Sequence, residues 1–268
     1  MFKNIEKNLK GINTFNIKVT LSESSVSPER DNIDSHIHEE CEIYLNLSGN
    51  VSFMVENNIY KVNKGDIIIT KPYEYHHCIY HSNDIHKHFW ILFSCAGNKE
   101  LFGTFFNRNV GENNIISLSE SKKEKLIKLC YDLLEAKNEL KDYLNFLSII
   151  DLISENKSYE DIYDLPDDVK LCIEYINKNF NKALKISDVS EKSFVTVNTL
   201  ERHFKKYLGI SPYEYIINCR LSNAASVLID GGNVTQASEE SGFPDYSHFI
   251  ALFKKRYGKT PLQFKKEL

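Results

Sequence analysis

The sequence predicts a two-domain α+β protein, with a small β-barrel and a pair of helices in the N-terminal part and an all-helical C-terminal part. Its 268 residues exceed the size of most single domains. Along the chain, the spacing between apolar residues changes from every second residue to every third or fourth residue. This change indicates strands followed by helices. An internal repeat near the C-terminus then predicts two copies of one helical unit.

Composition and charge favour a globular protein in which one domain meets a polyanion. Apolar residues make up 42% of the chain, with neither a signal peptide nor a run of the ~20 apolar residues that a membrane helix needs. Residues 166–268 carry 15 Lys and Arg against 12 Asp and Glu, whereas the whole chain has a net charge of −4. The cysteines are scattered without a C-x-x-C pair, which favours reduced thiols. We expect a cytoplasmic protein with no membrane contact and no cofactor.

Residues 1–95 have the pattern of a small barrel or sandwich. Val51, Phe53 and Val55 alternate with polar residues, as in a half-buried strand. Turn residues separate several further apolar runs of strand length: 59–62, 67–69 and 89–93. Several short strands with frequent turns are typical of such β folds.

Residues 98–157 predict two amphipathic helices, with Asn138 near the break between them. Their apolar residues recur at spacings of three and four: Leu126, Leu129, Cys130, Leu133 and Leu134, then Tyr143, Leu144, Leu147, Ile150 and Ile153. The helices either pack against the barrel or form a dimer interface, and we expect a homodimer. An acidic stretch with Pro166 follows and predicts a linker. The predicted boundaries are a sensor and dimerisation domain at 1–157, a linker at 158–166 and a third segment at 167–268.

A gap-free internal repeat carries most of the functional information. Residues 196–215 and 245–264 align at an offset of 49, with Phe-Lys-Lys, Gly and Ser/Thr-Pro at matched positions. A short helix is predicted before each copy, at 186–192 and 234–240, and a longer helix at about 211–229 joins the copies. This is the layout of a helix-turn-helix, whose second helix enters the major groove of DNA.

Local signals define the helix ends in each copy. Each copy has an N-cap residue, a glycine for the left-handed helix end, and a capping box with proline at the first helical position: Thr196, Gly209 and 211–214, then Asp245, Gly258 and 260–263. Two such units in one chain can reach successive major grooves about 34 Å apart without a dimer.

About the last hundred residues resemble the AraC-type transcription regulators. The matched residues are Leu200, Arg202, Phe204, Lys205, Gly209, Arg220, Leu221, Ala224, Leu228, Gly242, Phe243, Asp245, Tyr246, Phe249, Phe253, Lys254, Gly258, Thr260 and Pro261. The resemblance implies a DNA-binding regulator that is modulated by a small molecule and acts with RNA polymerase. The chain departs from the family in two respects. Family members usually have alanine after an aliphatic residue in each short helix, whereas this chain has serine there, in the pairs Val189-Ser190 and Ala237-Ser238. In the second helix of the second copy, Ala251 replaces a common arginine.

The exposed early turns of the second helices supply the candidate contacts with duplex DNA. We expect base-edge contacts there from Val197, Asn198, Thr199, Glu201 and Arg202, and from Tyr246, Ser247 and His248. Phosphate contacts are expected from Lys205, Lys254 and Lys255. Because Ala251 replaces an arginine while Arg202 is kept, we expect more base-specific binding energy from the first unit. We expect Asp245 to cap its helix rather than to contact a base.

The β-rich segment contains seven of the nine histidines. His36, His38, Glu42 and His76 have the spacing of the two cupin motifs, although Glu74 stands where cupins usually have glycine. A cupin-like barrel is also the sensor fold that the AraC-type resemblance implies.

These residues allow two interpretations. Histidines with one glutamate are a common ligand set for first-row metals, and the candidate ligands are His36, His38, Glu42 and His76. We favour the alternative, in which the same residues line a small-molecule pocket without metal, since AraC-type sensors usually hold none. Tyr44 and Trp90 complete that pocket. The rival function is a metal-dependent cupin enzyme with a helical scaffold. That rival function would leave the internal repeat without a role. We therefore favour a regulator and expect no catalytic residues.

Overall fold

The protein consists of two compact units, residues 1–163 and residues 164–268. The structure, a computed structural model, describes residues 3–10, 16–26, 37–94, 99–135, 138–155 and 165–267. Most of the linker predicted at 158–166 lies outside these ranges. Within them, no helix combines the length and the apolar character needed to span a bilayer.

In the described part of the N-terminal unit, nine strands form two antiparallel sheets. The strands are β1 (Lys3–Lys10), β2 (Asn16–Ser25), β3 (Cys41–Ser48), β4 (Val51–Val55), β5 (Asn58–Val62), β6 (Ile67–Thr70), β7 (His76–Tyr80), β8 (Ile85–Phe93) and β9 (Ile115–Ile116). One sheet has the order β1-β2-β8-β3-β6-β9, and the other has the order β5-β4-β7.

The α+β class is confirmed, with a β-rich N-terminal domain and a helical C-terminal domain, but the predicted barrel is corrected in one respect. Among the described residues, strand pairing does not join the two sheets into a closed barrel. The chain leaves β3 of the large sheet and enters β4 of the small one after a tight turn, so the hydrogen-bonded ladder is not continuous. The N-terminal unit is therefore a pair of sheets.

The six-stranded sheet has one apolar and one polar face, both buried. Successive side chains of a strand point to opposite faces. On β8, Phe89 and Ile91 belong to the apolar core, whereas His86 and His88 face the other way. On that second side, Tyr44 packs against the small sheet, with its ring centroid 4.8 Å from that of Phe53. The polar face of the large sheet is thus enclosed between the two sheets.

Helices cover the apolar face of the large sheet. They are a 3-10 turn (Lys99–Phe102), α1 (Gly103–Phe106), α2 (Glu120–Glu135) and α3 (Glu139–Ser154). Asn138 caps α3 by accepting a hydrogen bond from the Lys141 amide at 3.2 Å, which confirms the predicted break between the helices. The stripe predicted on α3 is partly wrong. Phe146 and Ile149 face the core, whereas Leu144 and Leu147 point outward because they lie on the other side of the helix.

The C-terminal unit is all-helical in its described residues. Its helices are α4 (Asp167–Asn179), α5 (Ile186–Lys192), α6 (Val197–Leu208), α7 (Pro212–Ile229), α8 (Val234–Glu240), α9 (Tyr246–Tyr257) and α10 (Pro261–Lys266). The predicted caps are confirmed, since the Thr196 hydroxyl accepts from the Thr199 amide at 3.2 Å and the Asp245 carboxylate accepts from the His248 amide at 2.5 Å. Left-handed glycines end α6 and α9.

Candidate nucleic-acid interface and polar interior

The second helix of each repeat, α6 and α9, presents its early turns to solvent. Of the predicted DNA contacts, the exposed residues are Val197, Asn198, Arg202, Lys205, Tyr246, Ser247, His248, Lys254 and Lys255. Thr199 and Glu201 are half-buried, and the Thr199 hydroxyl lies 3.0 Å from that of Thr196. Most of the predicted DNA-contact residues are therefore accessible to a partner, whereas Thr199 and Glu201 are less accessible.

Helix α6 is held in place from its inner side. Leu200 and Phe204 are fully buried. His203 Nδ1 lies 2.6 Å from the Asp168 carboxylate of α4, which ties α6 to the first helix of the unit. Lys205 pairs loosely with Glu214, at 3.6 Å between charged atoms. A surface pair of this kind contributes little stability, so Lys205 can turn towards a phosphate.

Helix α9 is anchored in the same way but through different partners. Phe249 and Phe253 are fully buried. Arg256 donates from Nη1 to the Asn218 carbonyl of α7 at 3.0 Å. Arg256 therefore fixes α9 against the joining helix, while Lys254 and Lys255 remain exposed.

One buried arginine connects the loop after α4 with the turn of the second helix-turn-helix. Arg220 of α7 donates from Nε to the Phe180 carbonyl at 2.7 Å and from Nη2 to the Lys182 carbonyl at 2.9 Å. These carbonyls follow the C-terminal end of α4, where a cation is favoured by the helix dipole. Burial lowers the pKa of Arg220. The Arg220 guanidinium also lies 5.9 Å from the ring centre of Phe243 in the second turn.

The two turns differ in length and in their left-handed residue. Two residues separate the cap Ser193 from the cap Thr196, whereas three separate Ser241 from Asp245. Gly242 has φ +72° in the second turn, and Phe194 has φ +57° at the corresponding place in the first. A left-handed conformation is strained for a bulky residue.

In the N-terminal unit, two histidines converge on one carboxylate. Glu42 Oε2 lies 2.9 Å from His38 Nε2 and 3.2 Å from His76 Nε2. The other ring nitrogen of each histidine contacts a backbone carbonyl, that of Glu40 at 3.0 Å for His38 and that of Glu74 at 2.7 Å for His76. His36, predicted to join this group, lies outside the described residues.

Backbone carbonyls orient both histidine rings. An Nδ1 that donates to a carbonyl leaves the Nε2 lone pair of a neutral imidazole directed at the Glu42 carboxylate. Two acceptors then face each other unless a proton or a cation lies between them. One ligand atom from each of His38, Glu42 and His76 lies within 4.8 Å of the others, and outer hydrogen bonds orient both rings as they do at metal sites. The residues fit a divalent first-row metal.

The predicted pocket residues Tyr44 and Trp90 lie on the same polar face. They are cross-strand partners on β3 and β8, and Glu42 is two residues from Tyr44 on the same side. The Tyr44 hydroxyl lies 2.7 Å from His86 Nε2, inside the space between the sheets.

Sequence reasoning missed three polar residues of this interior: Asn46, His86 and His88. All three are buried. The alternation His86-x-His88-x-Trp90 in a predicted strand was the signal that could have found them, because it puts three hydrogen-bonding rings on one face. Their contact with Asn46 depends on strand register, which is not visible in the sequence.

The fold and these sites define a class of protein: a sensor-like β unit joined to a double helix-turn-helix. Comparisons agree for both units. The family described as an AraC-like ligand binding domain matches residues 24–106, and the family described as a helix-turn-helix domain matches residues 189–267. The chain belongs to the AraC-type family of transcription regulators, and it combines a helix-turn-helix DNA-binding domain with a ligand-binding domain.

Individual relatives extend this comparison. The uncharacterized HTH-type transcriptional regulator YdeC of Bacillus subtilis is 22% identical over 98% of this chain and 97% of its own length. The bifunctional transcriptional activator/DNA repair enzyme AdaA of the same organism is 34% identical over 38% of this chain, which spans 49% of AdaA. A solved C-terminal domain of the response regulator AraT from Geobacillus stearothermophilus is 28% identical, with a TM-score of 0.38. It covers 39% of this chain and 88% of its own.

Proposed function

We propose that the protein regulates transcription by inserting α6 and α9 into successive major grooves of duplex DNA, in response to a small molecule bound between its two sheets. The observation that carries the proposal is the pair of capped helices whose first turns are exposed while their inner faces are fully buried. Helices of this kind read base edges in the major groove. We further propose that the protein is no enzyme, that it works in the cytoplasm beside the chromosome, and that it contacts RNA polymerase there.

Within this proposal the exposed residues divide into two roles. Arg202 and Asn198 suit guanine and adenine, where a good bidentate contact contributes ~1–3 kcal/mol of discrimination. Lys205, Lys254 and Lys255 suit phosphates, which set affinity and salt dependence. Val197 and Tyr246 occupy the first turn of their helices and offer apolar contact to thymine methyl groups.

Selection of sheared genomic DNA by the purified full-length protein tests the proposal. We expect a small number of recovered sites that share a motif spanning two major grooves. A matched protein with Arg202→Ala and Tyr246→Ala should recover no shared motif, whereas Lys64→Ala in the N-terminal unit should leave the motif unchanged. Recovery of DNA without any shared motif by the wild-type protein would contradict the proposal.

We also propose that the protein forms a homodimer through α3. Leu140, Leu144 and Leu147 are 69%, 56% and 39% exposed in the single chain, and their i, i+4, i+7 spacing puts them on one side of the helix. A leucine stripe of this kind is the seam along which two helices pack.

A second candidate function is a structural divalent metal site at His38, Glu42 and His76. The convergence of their ligand atoms supports it. A bound divalent cation would supply charge for the Glu42 carboxylate and hold the rings of His38 and His76 together. It would link the start of β7, which carries His76, to β3, which carries Glu42.

Dialysis of the full-length protein against Zn²⁺ and then against buffer tests this second candidate. About one equivalent of zinc should remain by atomic emission, with a higher melting temperature. Glu42→Gln and His76→Asn should lose both effects, whereas Lys61→Ala should keep them. Retention of zinc by the Glu42→Gln protein would assign it to another site and contradict this candidate.

A further inference from the structure

The buried polar face of the large sheet contains hydrogen-bonding groups that have no partner among the described residues. His88 of β8 lies in register between Ser22 of β2 and Asn46 of β3. It is 2% exposed, and neither of its ring nitrogens has a hydrogen-bond partner among the residues that the structure describes. A neutral imidazole carries one donor and one acceptor, and leaving either buried without a partner costs about 1–3 kcal/mol. Such a group needs a hydrogen-bond partner that the described residues do not supply.

Two neighbours of His88 share this property. The Asn46 amide nitrogen donates to the Val62 carbonyl at 3.2 Å, but its Oδ1 is buried without a partner in the described part of the chain. His86 contacts the Tyr44 hydroxyl through Nε2, but its Nδ1 is also unpartnered within the same ranges. Cross-strand pairing puts Asn46 directly beside His88, so these atoms belong to one cluster.

Aromatic rings flank the ring of His88. Its ring centroid lies 4.3 Å from that of His86, 4.7 Å from that of Trp90 and 5.1 Å from that of Tyr44. The rings of His86 and Tyr44 are stacked on it, at 22° and 26° between planes. The hydrogen bonds of an imidazole lie in its plane, so a partner must approach the edge of His88 and meet aromatic carbon on either side.

The groups around His88 offer no opposite charge to an ionised partner. Burial lowers the pKa of His86 to about 4 and that of His88 to about 3, so both rings are neutral at neutral pH. Glu42 is the nearby carboxylate on this face, and it is engaged by His38 and His76. An ion brought against the edge of His88 would lose its hydration without gaining an opposite charge from His86 or His88, which is strongly unfavourable.

We propose that this interior binds an uncharged small molecule rich in hydroxyl or amide groups, with His88 and Asn46 as its principal hydrogen-bond partners and Trp90 and Tyr44 as its apolar walls. The proposal rests on the proposed function, in which the N-terminal unit binds the effector, and it names the chemical class of that effector. Neutral polar compounds satisfy both the donor and the acceptor of a neutral imidazole and also pack against aromatic rings.

A metabolite extract that has been separated by ion exchange into anionic, cationic and neutral fractions tests this assignment. Each fraction is added to the full-length protein with EDTA present, and the melting temperature is followed by the fluorescence of Trp90, the single tryptophan of the chain. We expect the neutral fraction to raise the melting temperature by about 3 °C or more. His88→Phe should lose this rise, whereas Lys87→Ala, on the other side of the same strand, should keep it.

Each other outcome overturns the assignment. Stabilisation by a charged fraction would mean that the partner is an ion, and stabilisation by no fraction would assign the buried atoms to water. Retention of the effect in His88→Phe would place the ligand elsewhere. The comparison of the three fractions uses the wild-type protein, so it remains valid even if the His88→Phe protein folds poorly. DNA selection with the same preparation separates the two proposals, because recovery of a shared motif without a fraction effect leaves DNA binding standing.

Discussion

Gly242 lies so close to the backbone of Asn181 that a Cβ atom added to it would be 2.4 Å from the Asn181 carbonyl oxygen. This is the turn of the second helix-turn-helix meeting the loop that follows α4, at the place where Arg220 also binds the Phe180 and Lys182 carbonyls. The position excludes every side chain and so sets how closely the turn of the second helix-turn-helix packs against this loop.

Gly242→Ala should therefore lower the free energy of unfolding of the C-terminal unit by at least about 2 kcal/mol, because it adds a backbone clash to the cost of a left-handed alanine. Gly258→Ala is the matched control, since Gly258 has φ +71° and open space around it. Its loss should be about 1 kcal/mol. Thermal unfolding followed by circular dichroism measures both, and equal losses would show that the approach to Asn181 is unimportant.

Phe194→Gly should stabilise the same unit. Phe194 is 90% exposed and has φ +57°, so its side chain gains little from packing while its backbone is strained. Glycine relieves the strain, and a gain of about 0.5–1 kcal/mol remains after the larger entropy of the unfolded chain is subtracted. Denaturant unfolding of the full-length protein measures the gain. A loss of stability would show that the Phe194 side chain makes contacts worth more than the strain.

Substitution of Arg202 and Lys254 should separate base reading from phosphate binding. Arg202→Ala should weaken binding to the selected site by about 1–3 kcal/mol and relax the preference at one base. Lys254→Ala should weaken binding to selected and random DNA alike and reduce the salt slope by about one. His248→Ala should reduce specificity less than Arg202→Ala. Fluorescence anisotropy measures the binding of each variant to DNA. If Arg202→Ala and His248→Ala lost the same amount of specificity, the expected asymmetry between the two units would be contradicted.

The stability of the N-terminal unit should fall in mild acid. The pKa of His86 is lowered to about 4 and that of His88 to about 3 by burial, whereas an unfolded histidine has a pKa of about 6.5. Below pH 6.5 the unfolded chain binds protons that the folded unit does not, so stability present above that pH is lost as the pH falls towards 4. Two such groups should remove roughly 2–4 kcal/mol between pH 7 and pH 5.

Guanidinium unfolding followed by Trp90 fluorescence at several pH values measures this loss. His88→Phe should have a shallower dependence on pH, because one of the two titrating groups is gone. An unchanged slope in that variant would show that His88 does not titrate in this way.

Leu144→Glu should convert a dimer into a monomer without unfolding the protein, because Leu144 is exposed in the single chain and a buried glutamate at a helix–helix seam is strongly unfavourable. Sedimentation equilibrium measures the change, with Lys128→Glu on the neighbouring helix α2 as a control for added charge. A wild-type protein that sediments as a monomer would contradict the dimer proposal.

The sequence by itself determined the parts of this protein whose causes are local. The caps Thr196 and Asp245 and the glycine ends of α6 and α9 stand where the repeat predicted them, because each depends on atoms within four residues of one another. The same is true of the break between α2 and α3 at Asn138. The resemblance of these local signals to one family was enough to predict the DNA-binding domain.

Only the tertiary structure decided what depends on pairing between distant segments. Strand register brought Asn46 beside His88 and divided the predicted barrel into two sheets. Packing against the sheet set the orientation of helix α3 about its own axis, so that Phe146 rather than Leu144 faces the core. The clash that reserves residue 242 for glycine comes from Asn181, more than sixty residues away along the chain. Sequence periodicity shows that a face exists, but which partner covers it is settled only by packing.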